Sequence, residues 1–83
     1  MNQHLASLVL GLAAQASAAL DGQLPPGAEQ AGEKDARQLA QALIDTLAAL
    51  EEKTRGNLDV DEARLLDQAL TSLRIRFATG KPA

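Results

Sequence analysis

The chain has no cysteine, no tryptophan and no tyrosine, and Phe77 is its one Phe, Tyr or Trp ring. Without cysteine there are no disulfides and no thiolate metal sites. The redox compartment stays open, because cysteine-free chains fold in the cytosol and after export alike. A single aromatic ring leaves no platform on which successive bases could stack. A formal net charge of −3 also gives phosphate no overall attraction, so nucleic acid is not an expected partner. The six glycines are scattered, so no glycine-rich phosphate loop is spelled.

What remains is dominated by alanine and leucine, which favour helix over sheet. Eighty-three residues allow one domain. At that size a chain buries only about 60% of its unfolded surface, so a lone core is marginal without help from a disulfide, a metal or a partner.

Charge is the next thing missing. From Asn2 to Leu20 there is no Asp, Glu, Lys or Arg. A secretory signal explains such a stretch, with LASLVLGLAA as the apolar part and Ala16-Ser17-Ala18 as a cleavage site. Against it, no positive charge precedes the apolar part, and cleavage would leave two helices too small to fold alone. A transmembrane helix needs about 20 strongly apolar residues. Ser7, Gln15, Ser17 and the many alanines weigh against a membrane span.

An amphipathic helix over residues 1–20 is the better reading. Leu5, Leu8, Val9, Leu12, Ala16, Ala19 and Leu20 follow the three-and-four spacing of one stripe and are expected to face a core. The opposite side carries Ser7, Leu10, Gly11, Ala14 and Ala18. A helix apolar or small all round is usually buried all round, and two further short helices cannot surround it. These five residues are therefore the candidate interface for a second copy of the chain, most simply a homodimer. The bland alternative is an alanine-rich face turned to water.

Residues 21–34, DGQLPPGAEQAGEK, read as a flexible linker, with Pro25-Pro26 extended. They contain no PxxP motif with flanking basic residues for a polyproline-binding partner. Residues 35–77 read as an antiparallel helical hairpin across which the first helix packs. In its first arm, about 35–54, Ala36, Ala40, Leu43, Leu47, Leu50 and Thr54 alternate steps of four and three, widened by Leu39 and Ile44. In its second arm, about 60–77, Ala63, Leu66, Leu70, Leu73 and Phe77 point inward, flanked by Leu65 and Ala69, with Ile75 on the polar side. Residues 78–83 read as a frayed tail.

The hinge is the most rule-bound segment, EEKTRGNLDVDEARLL. Gly56 suits the left-handed conformation just past a helix end, and Asn57 is the next most tolerant type. Asp59 can cap the following helix, Glu62 completes a capping box, and Leu58 can pack back on the first turn. A calcium loop counted from Asp59 fails, because Ala63, Arg64 and Leu70 fall at positions 5, 6 and 12. Asp59, Asp61 and Glu62 are better read as anions at a helix N-terminus, mirrored by Arg74 and Arg76 at the other end. Glu33/Arg37 and Glu51/Arg55 have the spacing of helical ion pairs. Arg74, Arg76 and Lys81 make a local basic cluster that an anionic partner could use.

Catalytic chemistry finds no footing. Nucleophilic or acid–base work needs a nucleophile with a base, a metal, or carboxylates in a cleft. His4, the one histidine, lies close to the chain terminus. Thr54 falls on the apolar stripe, where its hydroxyl is expected to bond a backbone carbonyl. Asp45 projects from the far face, either into water or toward a partner chain. No enzyme, metal or cofactor is expected.

ASLVLGLA at 6–13, IDTLAALEEKTRGNL at 44–58 and ARLLDQALTSLRIRF at 63–77, with Glu62 just before, resemble the small bacterial proteins grouped as domain of unknown function 1844. The likeness runs in the same order over nearly the whole chain. Its most specific piece is EKTRGNL followed four residues later by Glu62. The resemblance implies a short, predominantly helical, cytoplasmic bacterial protein, and the family has no assigned activity. Asp59 departs from the Thr or Ser often found there, an equivalent cap. An aromatic residue often found near Thr71 is missing, which removes any ring contact at that point. Since the first helix belongs to the pattern, the likeness also weakens the signal-peptide reading. Function thus narrows to a non-enzymatic, self-associating interaction module with an unidentified partner beyond its own copy. The alternative is an exported or envelope-associated protein with residues 1–18 as its signal.

Overall fold

A computed structural model describes residues 1–23 and 33–79. The described residues form three α-helices and no strand, α1 (Gln3–Leu20), α2 (Glu33–Lys53) and α3 (Val60–Thr79). The fold is all-α. Pro25-Pro26 and Lys81 lie outside the described residues.

Three of the helix boundaries show a local cause. Asn2 starts α1 from an extended conformation, and its side-chain Oδ1 accepts the Leu5 N–H at 3.0 Å. The end of α1 is a Schellman turn. Gln23 N–H donates to Ala18 O at 2.9 Å and Gly22 N–H to Ala19 O at 3.0 Å, with Gly22 at φ +85°. Beyond α2, Gly56 takes φ +89°, and Asn57, whose own φ is not positive, donates its N–H to Thr54 O at 2.9 Å.

The core gathers side chains from all three helices: Val9 and Ala16 from α1, Ile44 and Leu47 from α2, and Leu66, Leu70 and Leu73 from α3. Ala19, Ala36 and Ala40 are buried as well. The α1 stripe is narrower than its spacing predicts, because Leu8 is 49% exposed. Ala63 is exposed rather than inward, since Glu62 occupies the buried position of that turn. Two boundaries also move. Helix α2 begins at Glu33, inside the expected linker, and α3 runs on through Ala78 and Thr79, where the Thr79 hydroxyl donates to Arg76 O at 2.9 Å.

Long-range polar contacts fix how the helices lie. Asn2 N–H donates to Glu62 Oε2 at 2.7 Å, and Arg76 Nη1 donates to Ser17 Oγ at 2.6 Å. Fifteen residues separate Asn2 from Ser17 and fourteen separate Glu62 from Arg76, each about 20 Å of helix at ~1.5 Å per residue. Helix α1 therefore lies lengthwise beside α3 and in the same direction, which corrects the expectation that it packs across the other two helices. Near the start of α2, Arg37 Nη2 donates to Phe77 O at 2.9 Å near the end of α3.

Candidate functional site

Two regions gather the residues singled out above. The first is the junction at the start of α3. Glu62 N–H donates to Asp59 Oδ1 at 2.8 Å and Asp59 N–H to Glu62 Oε1 at 2.9 Å, a reciprocal box that satisfies two N–H groups at the helix start. The second oxygen of Glu62 takes the Asn2 N–H, and the Met1 ammonium lies 2.9 Å from Asp59 Oδ2. One carboxylate pair thus serves the starts of both α1 and α3. The Glu62 backbone N–H, followed by the bond to the Met1 ammonium, holds the Asp59 carboxyl below its ordinary pKa. The same carboxylate raises the pKa of the ammonium.

The rest of the hinge is structural in the same sense. The Thr54 hydroxyl donates to Leu50 O at 2.7 Å, four residues back in α2. Leu58 is half-buried and packs against the core. Among the described residues no group of three or more His, Asp or Glu side chains is placed to hold a metal ion.

The second region is the outward face of α1. Ser7, Gly11 and Ala14 are exposed, Leu10 is 56% exposed, and Ala18 is half-buried. Leu8 joins them from one rim, and His4 and Gln15 on the same side are exposed too. A Cβ added at Gly11 would meet nothing within 4 Å. The chain's own packing therefore does not require glycine there, although a glycine inside a helix costs about 1 kcal/mol relative to alanine. By length and composition α1 also passes for a membrane-crossing helix, a test that soluble core helices pass as well.

Several charged residues have partners that local spacing did not predict. Arg76 does not belong to a free basic cluster. Its guanidinium binds Ser17 and, at 2.6 Å, Asp21 Oδ1 beyond the end of α1, while Arg74 is exposed. Arg37 lies 3.9 Å over the centre of the Phe77 ring. No ion pair joins Glu51 to Arg55. Asp45 is exposed and accepts a hydrogen bond from Gln41 Nε2 at 2.9 Å, one turn earlier. None of the three tertiary contacts made by Glu62, Arg37 and Arg76 has a local signature. Only the Gly22 stop was open to reading, as a glycine just past the last stripe residue, Leu20.

Fold and surface together define a small all-α protein of three helices with an uncharged outward face on the first. The chain belongs to the family described as Domain of unknown function (DUF1844), which it matches over residues 2–79. No curated protein and no solved structure matches it.

Proposed function

We propose that this protein is a non-enzymatic helical interaction module that forms a homodimer through the outward face of α1, with α2 and α3 as an antiparallel hairpin behind it. The observation that carries the reading is Gly11. It weakens the middle of a solvent-facing helix and has open space around it, so its value lies in letting another backbone come close. Ser7, Gly11, Ala14 and Ala18 recur at steps of four, three and four, the spacing of a helix–helix seam. Leu8 and Leu10 flank the seam as exposed apolar knobs.

A second copy suits this face better than a charged partner. In a two-fold dimer the same patch meets itself, and a patch without ionised side chains suffers no like-charge repulsion when doubled. The hairpin is supported by the Arg37–Phe77 contact, which joins the start of α2 to the end of α3, while residues 54–59 join their other ends.

Light scattering coupled to chromatography tests the reading. A dimer at micromolar concentration that becomes monomeric in Gly11→Lys or Ala14→Lys supports it, and a monomer at every concentration removes it. A complex with some other protein, and no dimer, would assign the face to an unidentified partner instead.

The exported reading, with residues 1–18 removed, is disfavoured. Cleavage after Ala18 would take away Val9 and Ala16 from the core and Ser17 from Arg76. With α1 retained, a cytoplasmic location is part of the same proposal. Intact mass measured on protein from its native cell decides the matter, since loss of the first eighteen residues establishes export.

A further inference from the structure

The hydrogen bonds that lay α1 beside α3 also mark which edge of α3 borders it. Glu62 and Arg76 reach α1, and Leu65, Ala69 and Ser72 continue that edge between them at steps of three and four. Phe77, under Arg37, marks the other edge, against α2. Just outside the α1 edge run Leu65, Gln68, Ser72 and Ile75, of which Gln68 and Ser72 are exposed and Ile75 is 59% exposed. On α1 the edge toward α3 carries Ser17 and, two turns earlier, the exposed Leu10, with Ser7 and Ala14 beside it. The two helices thus present one continuous outer face. Between Arg64 and the hydrogen-bonded Arg76 that face carries no ionised side chain, because Asp67 and Arg74 lie on the side of α3 nearer α2.

Area requires both helices. The outward strip of an 18-residue helix is about 27 Å by about 10 Å, roughly 270 Å2, whereas each partner in a stable complex buries about 800 Å2. Adding the strip of α3 roughly doubles the area, and side-chain corrugation carries it toward that figure.

We propose that a second copy covers α1 and α3 together, about a two-fold axis perpendicular to the helices, so that α1 meets α1 and α3 meets α3 in antiparallel pairs. This geometry rests on the self-association proposed above and deepens it. On α3 the pattern is symmetric about Leu70: Leu65 comes level with the partner's Ile75, and Gln68 with the partner's Ser72. The Asn2–Glu62 and Ser17–Arg76 bonds, 60 and 59 residues apart in the chain, put Leu70 level with Leu10 and Gly11 of α1. The same axis therefore sets Ser7 level with the partner's Ala14 and Leu10 with the partner's Gly11. Helix dipoles favour this direction too. Since α1 and α3 run the same way, an antiparallel partner brings its negative ends beside their positive ends, whereas a parallel one gathers four like ends.

Light scattering on the full chain and a distance between labels test the geometry. Ile75→Lys and Gln68→Lys, both at exposed sites, should raise the dimer dissociation constant at least tenfold, and Asp67→Lys, on the other side of α3, should leave it unchanged. The chain has no cysteine, so a spin label on Asp61→Cys reports a single distance between copies. Antiparallel pairing puts Asp61 level with the partner's Thr79, about 27 Å along the helix from the partner's Asp61. A dimer that ignores Ile75→Lys and Gln68→Lys, or a label separation under about 20 Å, would overturn this geometry and leave self-association through α1 standing. A native chain that is monomeric at every concentration would overturn both.

Discussion

Glu62 accepts N–H groups from the starts of two helices and is nearly buried, so its removal leaves both donors without a partner. Glu62→Ala should lower stability by about 2 kcal/mol or more, read from the shift of the denaturant midpoint. Asp59 adds a pH dependence. Its folded pKa lies below the ordinary 3.8, so its contribution is present above that value and is lost as pH falls through the folded pKa. Urea midpoints compared between neutral and strongly acid solution should fall less in Asp59→Asn than in the native chain, and an identical acid limb would remove Asp59 from the account. Gly11 gives the opposite kind of prediction. Gly11→Ala should raise the stability of the monomer by up to about 1 kcal/mol while weakening the dimer, because the added methyl helps the helix and obstructs a close neighbour. A variant that is more stable and equally dimeric would show that nothing approaches Gly11.

At the scale of the helices, much was legible, and for a physical reason. Steps of three and four in α2 and α3 record which side chains leave water, and Ala36, Ala40, Leu47, Leu66, Leu70 and Leu73 are buried accordingly. The hinge was equally readable, because caps and left-handed glycines act within a few residues of one another. Gly56→Ala should cost about 1–2 kcal/mol by forcing a Cβ into a positive φ, measurable by thermal melting. What could not be read were contacts made across 40 to 60 residues of chain: Asn2 with Glu62, Arg76 with Ser17 and Asp21, Arg37 with Phe77. Arg76 does stand in the last turn of its own helix, as its spacing suggests, but tertiary geometry gives it and Arg37 further partners that local spacing does not show. Leu8 and Ala63 failed for a related reason. A stripe drawn on one helix cannot show where the neighbouring helices stop covering it.

For the molecule as a whole, three helices of 18, 21 and 20 residues close a core on one side of α1 and leave its other side uncharged and in the open. Family membership over residues 2–79 includes that first helix and carries no activity with it. The proposed role therefore stands on the surface itself, and chiefly on a glycine that the monomer has no use for. The most direct measurement is the mass of the native chain in solution from micromolar to millimolar concentration, with Ala14→Lys run beside it. The account predicts twice the chain mass for the native protein and the single-chain mass for the variant. A native protein that stays at the single-chain mass throughout would contradict it.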